Sequence, residues 1–231
     1  MSDATPRLID VPARARASAQ APATLLLAHG AGAPMDSPFM TAIAAGLAER
    51  GWRVVRFEFP YMAHTRLTGQ RRAPDRLPKL LEAFRQEVAL QAEATPGQPL
   101  FIGGKSMGGR VASLLADELV AVRGCLCLGY PFHPPGKPEQ LRTEHLEALR
   151  TPTLILQGER DSFGRRGEVE GYSLSPAIAV QWIAAGDHSF KPTRSSGHTE
   201  AGNWQTAVEA CDQYMRGQLG TCQLGTLGSP A

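Results

Sequence analysis

Gly104-Lys105-Ser106-Met107-Gly108 constrains this chain more than any other stretch. It follows the apolar run Leu100-Phe101-Ile102 and precedes a helical pattern in which Val111, Leu114, Leu115 and Leu119 share one face. A strand that turns sharply into a helix forces the turning residue into a strained backbone conformation, and bulky neighbours clash there. Glycines on both sides relieve the clash and leave the serine oxygen exposed at the tip, where a nucleophile can work. Five residues are a weak signal by themselves. The pattern carries weight only if its chemical partners stand at matching places elsewhere in the chain.

The order of elements supplies those places. Nearly continuous apolar runs, as expected of strands buried on both faces, cover residues 24–28, 53–59, 99–103, 123–129, 153–157 and 178–184. Leu8-Ile9-Asp10-Val11 adds a candidate edge strand. Helical stripes lie between the strands: Phe39, Ile43 and Leu47, begun by Asp36-Ser37-Pro38 and ended by Gly51; Leu77, Leu80, Leu81, Phe84 and Val88; and finally Trp204, Val208, Cys211 and Met215. Alternating β and α units predict a mainly parallel sheet of six to seven strands with helices on both faces. Functional groups in such sheets gather at the carboxyl ends of the strands.

Three strand ends carry complementary groups. Ser106 follows one strand, Gly158-Glu159-Arg160-Asp161 follows the next but one, and Gly186-Asp187-His188 follows the last. A serine is a poor nucleophile until a base takes its proton; His188 is placed to be that base, and Asp161 to hold the imidazole tautomer. His198 competes with His188, but it lies ten residues further on in a polar loop. Glu159 stands two residues earlier in its turn than Asp161, and Asp187 adjoins the histidine itself. The loop Tyr130-Pro131-Phe132-His133-Pro134-Pro135 offers no carboxylate. An oxyanion needs two aimed donors. The Met107 amide is one; the other is expected from Gly30 or Ala31 in His29-Gly30-Ala31-Gly32-Ala33, with Ala31 ahead. His29 reads as a loop organiser. Tyr61, Phe132 and His133 lie on loops at the presumed active end and are candidate substrate contacts.

Taken together, Leu27-Ala28-His29-Gly30-Ala31-Gly32, the elbow, residues 129–138 (Gly-Tyr-Pro-Phe-His-Pro-Pro-Gly-Lys-Pro) and residues 158–161 resemble one branch of the α/β-hydrolase superfamily. That branch is similar to dienelactone hydrolases and includes a subunit of a vertebrate histone-acetyltransferase complex and a testis-expressed relative. The resemblance spans residues 24 to 217 and implies Ser106, Asp161 and His188 as a triad. Dienelactone hydrolases use a cysteine where this chain has Ser106, so their substrate is not carried over. The expectation is a serine hydrolase of carboxylesterase type acting on a small ester or related acyl compound. The rivals are a silent domain used for protein interaction, and a peptidase or acyl transferase on the same triad.

Bulk properties narrow the field. At 231 residues and a formal net charge of +2, the chain fits one domain with a sizeable core and lacks the footprint of a nucleic-acid binder. The local basic run Arg66, Arg71, Arg72 and Arg76 reads as a solvated loop rather than an anionic-substrate patch. No apolar stretch approaches the ~20 residues that span a bilayer. Residues 1–23 read as a flexible segment without a signal-peptide core, residues 218–231 as a disordered tail, and the cytoplasm as the location. Cys125 and Cys127 point to one face of a strand and cannot bridge in regular geometry; Cys211 lies on a helix face and Cys222 in the tail. Reduced structural thiols, no metal and no cofactor are expected. Between residues 130 and 150 there is room for one short helix at 139–149, with Leu141, His145 and Leu149 on one side, and therefore for only a minimal cap.

Overall fold

The computed structural model describes residues 6–12 and 21–224, with side chains to residue 220. Among these, seven strands form one sheet in the order β1-β3-β2-β4-β5-β6-β7. The strands are β1 (Arg7–Asp10), β2 (Thr24–Ala28), β3 (Arg53–Phe57), β4 (Leu100–Lys105), β5 (Val122–Leu128), β6 (Thr153–Gly158) and β7 (Ile178–Ile183). All run parallel except β1, which pairs antiparallel with β3.

The two faces of the sheet follow the period of two in its strands. Leu26, Val55, Ile102, Cys125, Cys127 and Ile155 pack under α3 (Leu77–Ala94) and α4 (Met107–Leu115). The alternate residues Leu25, Leu27, Val54, Phe101, Leu126 and Leu154 pack under α1 (Pro38–Glu49) and α6 (Glu200–Leu224). A sheet covered on both sides has no solvent face, so its central strands are apolar except at their ends. β7 departs from that expectation: as an edge strand it is exposed at Ala179 and Gln181.

The edge strand expected at residues 8–11 forms one residue earlier, and charge rather than apolar burial holds it. Arg56, nearly buried on β3, makes two bonds to Asp10 (2.9 and 3.0 Å), and Arg7 makes two to the buried Glu87 of α3 (2.7 and 2.6 Å). Two-point guanidinium–carboxylate pairs fix geometry as well as energy.

Three elements differ from the sequence expectation. Residues 60–68 form α2 (Pro60–Thr68), so Arg66 is helical and ion-paired to Glu58 and Asp36 (2.7 and 2.8 Å) rather than part of a solvated loop. The helix expected at 139–149 is a single 3₁₀ turn, Glu144–Leu146; Leu141 stays exposed while Leu146 and Leu149 are buried. α6 continues past residue 217 to Leu224. The sequence readings for residues 1–5, 13–20 and 225–231 lie outside the described residues. Among the described residues no helix is long and apolar enough to cross a membrane. Cys125 and Cys127 face the same side, their sulfurs 3.9 Å apart and unbridged.

Candidate active site

The sheet order reverses between β2 and β4: the chain runs from β2 outward to β3 and then returns to the other side of β2. Crevices open at the carboxyl ends of strands at such a switch point. Here the loop after β2 meets the turn after β4. A Cβ on Gly30 would lie 3.5 Å from the Lys105 oxygen and 3.7 Å from the Ser106 Cβ, so the two loops touch.

Ser106 itself has φ 51° and ψ −115°, the strained conformation expected of the turning residue. The flanking glycines are required by backbone, not by flexible side chains. A Cβ on Gly104 would come within 2.6 Å of the Ala28 oxygen, and one on Gly108 within 2.6 and 2.7 Å of the Ala28 and His29 oxygens. Both contacts are closer than real Cβ atoms tolerate, so the elbow can press against β2 only where side chains are absent.

The serine hydroxyl donates to His188 Nε2 at 2.8 Å, and His188 Nδ1–H donates to Asp161 Oδ2 at 2.8 Å. Asp161 is wholly buried. Its Oδ1 accepts the Phe163 amide (2.9 Å), and its Oδ2 also accepts Gln157 Nε2 (2.9 Å). The Phe163 ring stacks on the imidazole at 4.2 Å. Burial is the main reason that the His188 pKa lies below its ordinary value; the bond to Asp161 pulls the other way and the nearby Lys105 charge adds to the lowering. The imidazole is thus kept neutral and ready to accept a proton.

The loop that carries His188 is strained and strapped down. Ala185 and Phe190 both take positive φ (50° and 67°). Glu159 Oε2 accepts the Ala185 amide (2.8 Å), Asp187 Oδ1 accepts the amides of Ser189 and Lys191 (2.8 and 3.0 Å), and Asn203 of α6 donates to the Ala184 and Phe190 oxygens (3.0 and 2.8 Å). Glu159 and Asp187, the rival carboxylates, are therefore occupied in shaping this loop. His198 is exposed and is not joined to the serine.

His29 is buried between loops. The Phe59 amide donates to its Nε2 (3.1 Å), which leaves the proton on Nδ1, and that group donates to the Gly30 oxygen (2.6 Å). The Tyr61 hydroxyl donates to the Ala31 oxygen (2.9 Å) and lies 3.4 Å from the Gly30 oxygen. A trans peptide points its N–H opposite to its C=O. With the Gly30 carbonyl turned to His29, the Ala31 N–H faces the other way, and Ala31 lines the cleft beside Ser106. The Met107 amide opens α4, where first-turn amides have no partner within the helix.

The cleft has a volume of about 470 Å³, and its walls include Phe39, Met40, Phe163, Trp204, Lys105 and His188. Three candidate contacts are not among them. Phe132 is fully buried and packs on Tyr130 (4.8 Å) and Tyr172 (5.6 Å). His133 is 3 % exposed, with its ring nitrogens on the Pro134 oxygen and Glu168. Tyr61 is buried and turns its hydroxyl to the carbonyls of the loop after β2. The proline-rich segment turns inward because its aromatic residues complete the core beneath the Asp161 turn, and the His133 amide donates to the Phe163 oxygen there (3.2 Å). Sequence reasoning missed Gln157 and Phe163. The signal for Gln157 was a polar side chain ending an apolar strand run; Phe163 carried none.

Residues 21–216 match the family model described as an alpha/beta hydrolase domain. Among solved structures, the chain is similar to an alpha-beta serine hydrolase homologue from Coxiella burnetii (TM-score 0.69, 17 % identity, covering 90 % of this chain and 89 % of that one). It is similar to a Xanthomonas campestris member of the α/β serine hydrolases without a lid (0.65, 20 %, 89 % and 88 %). It also resembles dienelactone hydrolase from Anabaena variabilis (0.68, 18 %, 91 % and 90 %).

Proposed function

The chain belongs to the alpha/beta hydrolase family, and on that footing we propose that it is a serine esterase working through Ser106, His188 and Asp161. The observation that carries this reading is the unbroken hydrogen-bonded series from serine to histidine to buried carboxylate. In the first step the Ser106 oxygen attacks the ester carbonyl and His188 Nε2 takes the hydroxyl proton. The oxyanion is met by the amides of Met107 and Ala31; one such donor is worth about 3–4 kcal/mol in the transition state. The C–O bond to the alcohol then breaks and His188 returns the proton to the departing oxygen. Water, deprotonated by His188, attacks the acyl-serine; the acyl–Oγ bond breaks, Oγ recovers the proton, and the carboxylic acid leaves. Asp161 holds the imidazole in place and stabilises the imidazolium.

The connection between β5 and β6 contributes only one 3₁₀ turn, and none of residues 130–150 is among the walls of the cleft that holds Ser106. The preferred acyl groups are accordingly of acetyl to hexanoyl size, with no rate jump at a lipid–water interface. The narrower likeness to the branch with the histone-acetyltransferase-complex subunit rests on the residue run 130–138, which here serves packing. A silent scaffold would not need its serine, base and acid aligned. The test is labelling by a fluorophosphonate probe, with Ser106→Ala as control. Labelling at Ser106 with 4-nitrophenyl ester turnover is expected; labelling that survives Ser106→Ala, or a folded wild-type chain that neither labels nor turns over ester, overturns the reading.

A further inference from the structure

Lys105 immediately precedes the serine, yet the elbow turn has no need of its side chain. It is 8 % exposed, and its Nζ is buried without a hydrogen-bond partner among the described residues. The nearby acceptors are already taken. Asp161 spends one oxygen on the Phe163 amide and the other on Gln157 and His188, and Asp187 binds two amides of its own loop. Both act on Lys105 only through space. The amine sits against Gly129, where a Cβ would lie 2.9 Å from Nζ, and 5.7 Å from the centre of the Phe39 ring. Lys105 and Phe39 are both walls of the cleft that holds Ser106.

A buried ammonium without an acceptor is costly, and a charge-assisted bond to a carboxylate removes that cost. Resting on the esterase reading above, we infer that Lys105 sets the specificity of this cleft: the acyl group it prefers carries a carboxylate, toward which the Lys105 amine swings out of its buried seat while the ester carbonyl faces Ser106. The other ionisable walls are His188, kept neutral, and Glu200 at the start of α6, which is part-exposed and screened by solvent. Apolar side chains (Phe39, Met40, Trp204) line the path for the methylenes between the two groups. Burial lowers the Lys105 pKa to about 8 against the opposing pull of Asp161 and Asp187, so the ammonium form is present at neutral pH and fades above that value.

The probes are mono(4-nitrophenyl) adipate and 4-nitrophenyl hexanoate, which share a six-carbon acyl chain and differ in the terminal carboxylate. Wild type is expected to favour the adipate in kcat/KM by about tenfold or more at pH 7, in keeping with a hydrogen bond to a charged group. In Lys105→Met the adipate-to-hexanoate ratio should fall about 10- to 150-fold. Lys105→Arg keeps the charge and should retain a ratio above that of Lys105→Met. The inference is overturned if wild type favours the hexanoate, or if Lys105→Met slows both esters alike. A wild-type chain that labels at Ser106 but shows no adipate preference sinks only this inference; one that neither labels nor turns over either ester sinks the esterase reading as well.

Discussion

The elbow at Ser106 is shaped by backbone, whereas the turns that carry Asp161 and His188 are shaped by side chains. At the elbow, Gly104 and Gly108 lie against carbonyl oxygens of residues 28 and 29, and no side chain could be fitted between. At the other turns Gln157, Glu159, Asp187 and Asn203 each satisfy loop amides or carbonyls that would otherwise be left bare. The first design tolerates almost no substitution and leaves a mark in the sequence. The second spreads the task over polar residues from three parts of the chain, and each alone looks ordinary.

The largest effect that separates the two should come from Asp161→Asn. The amide keeps the shape but faces three donors with a group that is itself half donor, and it removes the charge opposite the imidazolium. A fall in kcat of about 10⁴ is expected, as in the best-studied triad of this kind; steady-state ester hydrolysis by a folded variant measures it. Glu159→Gln losing comparable activity while Asp161→Asn stays active would exchange the roles of the two carboxylates.

Gly108→Ala comes next. One methyl must displace the backbone of β2, and overpacking of this kind costs about 1–3 kcal/mol. For a chain of this size the melting temperature should drop by roughly 2–10 °C, with turnover lowered about 100-fold as the elbow shifts against the loop at Ala31. Unchanged melting and unchanged kcat would show that the elbow is less dependent on backbone contact than its distances say.

Gln157→Leu probes the side-chain design. It removes one donor to Asp161 and strands the Tyr130 amide and the Gly164 oxygen, while the Tyr130 oxygen keeps the Phe132 amide (3.1 Å). Buried groups left unpaired cost about 1–3 kcal/mol each. Thermal or urea unfolding should show a loss of about 2–6 kcal/mol for the two groups, with a fall of roughly tenfold in kcat, because the carboxylate keeps its bonds to Phe163 and His188. Loss equal to that of Asp161→Asn would mean that the glutamine, not the carboxylate, controls the histidine.

The smallest effect concerns pH. The base must be neutral to act, and burial, supplemented by the Lys105 charge, lowers its pKa. A lowered pKa keeps the imidazole neutral further into acid, so the acid limb of kcat/KM should fall below the ordinary histidine value of about 6.5. In Lys105→Met the limb should move upward, towards that value. A limb that starts above 6.5 in wild type would contradict the sign.

The same contrast explains what could be read before the structure. The central strands and the helix stripes were legible because burial on two faces leaves an unmistakable apolar run, and Ser106, Asp161 and His188, which the fold brings into one hydrogen-bonded series, stood out because each follows the end of such a run. α2 escaped notice: in Pro60–Thr68 only Tyr61 and Met62 are buried, too few to mark a stripe. The cap helix was expected from Leu141, His145 and Leu149, but four prolines and Gly136 consume the preceding segment in turns, and Leu146 rather than Leu141 turns inward. Phe132 and His133 looked like contacts because they follow a strand end. That loop instead packs its side chains into the core, where the Tyr130 hydroxyl donates to the Arg142 oxygen (2.9 Å).

The grip of Tyr61 on the loop after β2 has a consequence for how a ligand arrives. Its hydroxyl is protonated at any working pH, since burial raises its pKa, and it fixes the Ala31 carbonyl before anything binds. The amides of that loop therefore have their directions set in the resting protein. Binding does not have to freeze a disordered segment, and none of the interaction free energy is diverted to doing so. The oxygen of Ala31 is held in place by a side chain 30 residues away, so the direction of this loop does not depend on what lies in the cleft.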